Sequence, residues 1–298
     1  MSFSKDIKEE LSKLNTLANK ECVKFELIGY LISNNTSVIK GKIKYSTENE
    51  YNINRLNKLL NNLKIDYKIE LQGKVYTITF KKLEMSELLY LENKIQIQNI
   101  EINVKKDELF LKSLVRGCFL GSGSLNNPNS KYHLEILLST SENASFILEV
   151  LKAFGIEVKI LARKNSTSIY IKEAEEISKL LALIGAGKSV LNFEEIRVVR
   201  DTRNNINRLV NCETANLNKT INASVEQIKQ IKYLKEKRKF DALPDTLKEI
   251  ANLRQKNPDA SLVELGAMLE NPIGKSGVNH RLKKICEIAE EVRKNMEK

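Results

Sequence analysis

The ten residues Lys275-Ser276-Gly277-Val278-Asn279-His280-Arg281-Leu282-Lys283-Lys284 include four lysines and arginines and no acid. The chemistry open to them is non-covalent. Lys and Arg grip phosphate, while Asn, Ser and Lys reach the edges of bases through hydrogen bonds. At helical spacing Val278, Leu282 and Ile285 fall on one face, and Ser276, Asn279, His280, Lys283 and Lys284 on the opposite one, with Arg281 at the flank. We expect Ser276, Asn279 and Lys283 to read bases and Lys275, Arg281 and Lys284 to hold phosphate. His280 fits a polar surface position or a phosphate contact. A plain solvated helix face would use the same residue types. A second basic segment, Lys235-Glu236-Lys237-Arg238-Lys239, reads either as a phosphate-contact strip or as such a face.

For bond-making chemistry the chain offers little. Its four cysteines (Cys22, Cys118, Cys212, Cys286) are far apart with no CxxC pair, and it has two histidines. A disulfide framework, a zinc site and a His-rich metal site are therefore not expected, and no motif suggests a cofactor or small ligand. The net charge of +11 favours a polyanionic partner, because Lys and Arg contacts to phosphate release counterions. No apolar run approaches the ~20 residues of a bilayer span, and the charged N-terminal stretch is no signal peptide. The reading from composition is a cytoplasmic protein with no membrane and a polyanionic partner. A basic but ordinary cytosolic protein would show the same balance.

The basic stretch needs a frame, and the preceding residues supply one. Leu247, Ile250, Ala251 and Leu253 line one face of a helix that runs to Asn257-Pro258. Asp259-Ala260-Ser261 then caps a short helix over 262–270, and Asn271-Pro272-Ile273-Gly274 forms a turn into a third helix reaching about Lys294. Helix, short turn and basic helix together make a helix-turn-helix.

The first 190 residues read as two copies of one unit. In the first, helices over 4–20 (capped by Ser4) and 22–33 precede a strand over 38–45 and a helix opened by Ser46–Glu50. Strands over 67–71 and 74–80 follow, joined through Gln72-Gly73. After a connecting segment, 86–107, the second copy repeats the order. Its helix ends in a Gly121-Ser122-Gly123-Ser124 turn, and a strand over 132–138 follows. A helix opened by Ser139–Asn143 and strands over 157–161 and 168–172 come next, and helix 173–185 closes the copy. Ser46-Thr47-Glu48-Asn49 echoes Thr140-Ser141-Glu142-Asn143. Gly29 and Gly117 sit at matching places in the two leading helices. A glycine inside a helix costs roughly 0.5–1 kcal/mol relative to alanine, so we expect the two helices to pack backbone to backbone there.

This order around glycine-containing helices resembles the LAGLIDADG homing endonucleases, most closely at Val115-Arg116-Gly117-Cys118-Phe119-Leu120-Gly121-Ser122-Gly123. The resemblance implies a central helix pair, with an acidic residue on each helix end holding a divalent metal. The matching positions are Asn34 and Ser122, an amide and a hydroxyl, and a hard cation bridging phosphates wants anionic oxygen. The scaffold is read as kept and the catalytic site as lost, with no catalytic residue assigned. A residual nuclease would need Glu135 or Glu142 instead.

Over essentially its full length the chain resembles the WhiA family of bacterial sporulation and cell-division regulators. The segments that carry the resemblance are Ser2-Phe3-Ser4, Arg116-Gly117 through Glu135, Cys212-Glu213-Thr214-Ala215-Asn216, and Pro258-Asp259-Ala260-Ser261-Leu262 through Leu282. It implies an α+β protein: a duplicated, pseudo-twofold LAGLIDADG-like domain followed by an all-α helix-turn-helix domain. The expected divisions are 1–85 and 86–192 for the repeats, 193–222 for a helical linker ending near Asn222, and 223–298 for the helix-turn-helix domain. The implied function is a non-enzymatic, sequence-specific DNA-binding regulator of division, chromosome segregation or sporulation. The resemblance also implies double-stranded DNA as partner, a nucleoid-associated location, and regulatory or division proteins as further partners left open. An interaction protein of the division machinery with secondary DNA contact is the alternative.

Overall fold

The computed structural model describes residues 2–163 and 166–296, and the chain separates into two compact units, Met1–Thr202 and Arg203–Lys298. In chain order the first unit contains α1 (Phe3–Ser12), α2 (Lys20–Leu31), β1 (Thr36–Ile39), β2 (Lys42–Thr47), α3 (Glu50–Asn62), β3 (Tyr67–Gln72) and β4 (Val75–Lys81). A small hairpin of β5 (Leu88–Tyr90) and β6 (Ile95–Ile97) follows, then α4 (Val104–Ser122), β7 (Gly123–Leu125), β8 (Leu134–Leu138), α5 (Ser141–Ala153), β9 (Lys159–Arg163), β10 (Ser166–Ile171) and α6 (Ala174–Ile184). Helix α7 (Gly187–Glu236) runs across the division, and α8 (Asp245–Lys256), α9 (Leu262–Ala267) and α10 (Lys275–Met296) complete the second unit.

Duplication is explicit in the sheets, which have the orders β1-β2-β4-β3 and β7-β8-β10-β9, antiparallel throughout. Each sheet lays one face on the core. Ile43, Tyr45, Ile78 and Phe80 do so in the first, and Leu134, Ile136, Leu138, Ile169 and Ile171 in the second. The helices α3 and α5 are capped at matching positions, by the side chains of Asn49 and Thr140. The apparent echo of Ser46–Asn49 in Thr140–Asn143 is thus three residues out of register: the last residue of one caps, and the first of the other. Both helices end on a left-handed residue, Lys64 (φ 56°) and Gly155 (φ 71°), followed by Ile65 and Ile156 donating back to Leu60 and Leu151 at 2.9 Å.

Helices α2 and α4 form the centre, and over residues 26–31 and 113–122 they are buried on every side rather than along one stripe. They cross with main chain against main chain. A Cβ on Gly29 would lie 2.3 Å from the Leu114 carbonyl oxygen, and one on Gly117 2.0 Å from that of Glu26. Gly121 is a third close approach, against the Ser33 side chain. Glu26, one turn before Gly29, is fully buried and is gripped from both repeats. Arg55 Nε donates to its Oε1 at 2.6 Å, Arg55 Nη2 to its Oε2 at 2.9 Å, and Arg116 Nη1 to Oε2 at 3.1 Å. Three further guanidinium N–H groups donate to Leu14 O, Thr16 Oγ1 and Ile184 O.

Several expected boundaries differ, each for a local reason. Helix α1 stops at Ser12, because the chain turns before Asn19 caps α2, and Ser4 is inside α1 with its hydroxyl accepting from Leu125 N–H. The strand expected over 38–45 is a hairpin, turned by Lys40 (φ 47°) and Gly41 (φ 74°), both in the left-handed region a tight two-residue turn needs. The segment 86–107 contains β5 and β6 rather than a plain connection. Gly121–Ser124 is no turn: α4 runs straight into β7, Gly123 being extended at φ −70°, ψ 148°. The expected end of the linker helix near Asn222 is absent, α7 continuing to Glu236.

Gly117→Ala should separate α2 from α4 where no side chain can yield, and we expect ~1–3 kcal/mol or more of lost stability in thermal or denaturant unfolding of the full chain. Glu26→Gln leaves two buried guanidiniums without their carboxylate, with an expected cost of ~3–5 kcal/mol by the same measurement.

Candidate nucleic-acid interface

The second unit has its own core, in which Ile231 and Leu234 of α7 meet Leu247, Ile250 and Ala251 of α8, Leu265 of α9, and Val278, Leu282, Ile285 and Ala289 of α10. The short helix α9 begins at a complete capping box, with Glu264 N–H donating to Ser261 Oγ at 3.3 Å and Ser261 N–H to Glu264 Oε2 at 2.7 Å. The Ser261 backbone bond, followed by that from its side chain, holds the Glu264 carboxyl below the ordinary carboxylate value. The loop before it is held from below. Buried Arg254 donates to the carbonyls of Ala260 at 2.7 Å and Pro258 at 3.3 Å, and Ser224 Oγ donates to Pro258 at 2.6 Å.

The turn between α9 and α10 depends on Gly266, where a Cβ would fall 2.2 Å from the Ile273 carbonyl oxygen. That approach lets Ile273 N–H return to Gly266 O at 3.2 Å and sets the start of α10. With Val278, Leu282 and Ile285 buried, Lys275, Ser276, Asn279, His280, Lys283 and Lys284 are exposed and Arg281 is half-buried. All seven are thus gathered on the first three turns of one helix. Acids begin only at Glu287, which takes one of the seven into an ion pair: Lys284 Nζ lies 3.5 Å from its Oε2. The helix N-terminus adds partial positive charge at the same end.

The segment Lys235–Lys239 is differently disposed. Lys235 Nζ donates to Gln255 Oε1 at 2.6 Å and Asn252 Oδ1 at 3.2 Å and lies over the Phe240 ring, tying the end of α7 to α8. Arg238 is the left-handed residue (φ 55°) that ends the helix. At least Lys235 serves the domain's own packing.

In the first unit Asn34 and Ser122 sit at the ends of the central helices and converge on one atom. The Asn34 main-chain N–H donates to the Leu137 carbonyl at 3.1 Å, and the Ser122 hydroxyl donates to the same oxygen. The last-turn carbonyl of Gly121 accepts from Asn35 Nδ2 at 2.8 Å and from the Tyr45 hydroxyl at 3.0 Å. Burial pushes that phenol's pKa up, so it stays a donor. Glu135 lies on β8 opposite Ser124 and Tyr170, 3.9 Å from His133 Nε2. Glu142 is in the first turn of α5, its carboxyl held below the ordinary value by its own main-chain N–H and by Ser141. Among the described residues, no group of three or more His, Cys, Asp or Glu side chains is placed to share a metal ion. Nor is any helix there long and apolar enough to cross a membrane.

Sequence reasoning gave no role to Glu26, Arg55, Gly266 or Arg254, and none to Arg116 beyond its place in the family resemblance. An isolated glycine inside the apolar run Leu262–Leu269 was a visible signal for Gly266; the partners of Glu26 are too distant in sequence to be paired by eye.

The residues 206–289 match the family model of the WhiA C-terminal HTH domain, and 42–102 with 111–203 that of the WhiA LAGLIDADG-like domain. "Probable cell division protein WhiA" of Clostridium acetobutylicum is 40% identical, the match covering 99% of both chains. The protein of that name from Oceanobacillus iheyensis is 41% identical over 99% of this chain and 98% of its own. Among solved structures, full-length DUF199/WhiA from Thermotoga maritima superposes with a TM-score of 0.62 at 30% identity, covering 98% of this chain and 99% of the other.

Replacing Gly266 by Ala should force α9 from the turn and destabilise the second unit by ~1–3 kcal/mol. Gly277→Ala meets the Ile273 side chain, closely only at its Cδ1 tip (3.1 Å), and should be neutral or slightly stabilising. Melting curves of the two variants, side by side, check the contrast.

Proposed function

The chain belongs to the WhiA family, and we propose that it acts as a non-enzymatic, sequence-specific regulator that binds double-stranded DNA through α10. The observation that carries this reading is the acid-free exposed arc on the first three turns of α10, held outward by a buried opposite edge. A helix so placed can enter a major groove with its N-terminal residues toward the base edges. Ser276, Asn279 and Lys283 would read bases, Lys275, Arg281 and Lys284 would hold phosphate, and His280 would lie against the backbone. The processes served would be cell division, as in the names of the relatives, and chromosome segregation or sporulation. The division into two repeats, a linker and a helix-turn-helix domain belongs to the same proposal, as do a cytoplasmic, nucleoid-associated location and the lack of catalysis at Asn34 and Ser122.

Neutral partners at the two helix ends favour a structural role for the duplicated domain. The second reading, a division-machinery interaction protein, draws on the relatives' names and predicts that α10 variants keep their cellular function.

Binding of genomic fragments by the full chain, measured by anisotropy across a salt series, tests the first reading. Asn279→Ala with Lys283→Ala should cost ~1–3 kcal/mol of specific affinity for each base left unread, while Lys275→Ala should weaken all sequences alike and lower the salt slope by ~1. Unchanged affinity in the double variant would refute the assignment.

A further inference from the structure

From Asp201 to Ala223 every residue of α7 is exposed. This stretch contains seven asparagines. Asparagine is a weak helix former, and an unpacked helix of such a sequence is marginal in water. Packing would stabilise it, and one face is suited to being covered. Val199, Ile206, Val210 and Leu217 lie along one side of α7 and are 53–60% exposed. With Arg203 and Glu213 they form a single seam, Val199, Arg203, Ile206, Val210, Glu213, Leu217, whose steps alternate between four and three residues. That alternation is the seam of two helices wound together. Leu209, 63% exposed, flanks it.

The order of residues along the seam selects the partner. Laid antiparallel to itself about Arg208, the seam is self-complementary: Val199 meets Leu217, Arg203 meets Glu213, Ile206 meets Val210, and the same pairs recur in reverse. A parallel pairing in register would instead oppose Arg203 to Arg203 and Glu213 to Glu213. The two charges in an otherwise apolar seam are opposite in sign and equidistant from Arg208, as an isologous twofold contact requires. We propose that α7 is a dimerisation helix, whose occupant is the same segment of a second copy running antiparallel. The Arg- and Asn-bearing face, with Arg208 and Lys219, is left outward, and each dimer carries two helix-turn-helix domains. This goes beyond the DNA-binding reading and does not depend on it.

Sedimentation velocity of the full chain without DNA, over a concentration series, reads the association directly. The unmodified protein should pass from monomer to dimer. R203E and E213R should each weaken dimerisation by ~10-fold or more, since both ion pairs become like-charge pairs. An equimolar mixture of the two variants should recover the dimer, because every Glu then faces an Arg across the seam, and the double variant R203E/E213R should recover it alone. Recovery in the mixture also shows that both variants are folded. A protein that stays monomeric at its highest soluble concentration overturns the proposal. So does a dimer indifferent to the reversals, or recovery confined to the double variant and absent from the mixture, which would place the seam against another part of its own chain.

Discussion

The first unit depends on the main-chain contact between α2 and α4. Two helices can approach so closely only where neither carries a side chain, and the sequence meets this with Gly29 on one helix and Gly117 on the other, each lying where a Cβ would strike a carbonyl of the opposite helix. The approach brings Glu26 and Arg116 within reach across the two repeats, and Arg55 closes the carboxylate from a third element. A buried ion triad is weak evidence for net stability, because desolvation offsets much of its attraction, but it is costly to leave incomplete. Its part here is alignment: of all the ways two apolar helices could slide past one another, few leave no buried charge unmet.

That crossing also decides what the helix ends can do. It delivers the C-terminal ends of α2 and α4 to the same strand, β8, with carbonyl groups that need donors. In this chain the donors come from the protein itself: Asn35 and Tyr45 to Gly121, and Ser33 and Thr36 to Tyr30. Asn34 N–H and the Ser122 hydroxyl, in turn, spend themselves on Leu137. A carboxylate at Ser122 would bring an acceptor where a donor is wanted, whereas at Asn34 the donor is the main chain and the side chain is simply a neutral amide. The neutral residues therefore suit a closed structural joint, with the sheets fastened directly to the helix pair.

Much of this was legible in the sequence, since helical and strand periodicities are local. Three strand segments in each repeat, the helices α3 and α5, and the three helices of the second unit follow from spacing and capping residues, whereas β7 lies where a turn was expected. What escaped was either too short or too distant. The turn at Lys40-Gly41 is two residues long, and only Gly41 advertises a left-handed backbone. The strands β5 and β6 have three residues each, fewer than a period-two pattern needs to stand out. The repeat echo misled because Ser, Thr and Asn all cap helices, so similar tetrapeptides served at different offsets. Of the site in the second unit, the exposed arc of α10 was readable from its buried opposite face. The support beneath it, Gly266 against Ile273 and Arg254 under the capping loop, was not.

The fate of individual cations shows why composition alone could not locate an interface. Arg55, Arg116 and Arg254 are buried and hydrogen-bonded to carbonyls or to Glu26, while Lys235 bonds Asn252 and Gln255 at the surface. The three buried arginines raise the count of cations without being available to a phosphate. On α10, by contrast, the buried residues Val278, Leu282 and Ile285 consume the apolar edge and the residues of the opposite edge are exposed. Acids enter only from Glu287 onward, so the charge is divided along the helix, positive where the turn presents it and mixed where the helix continues. A net charge of +11 is thus less informative than ten residues of one helix with no acid among them.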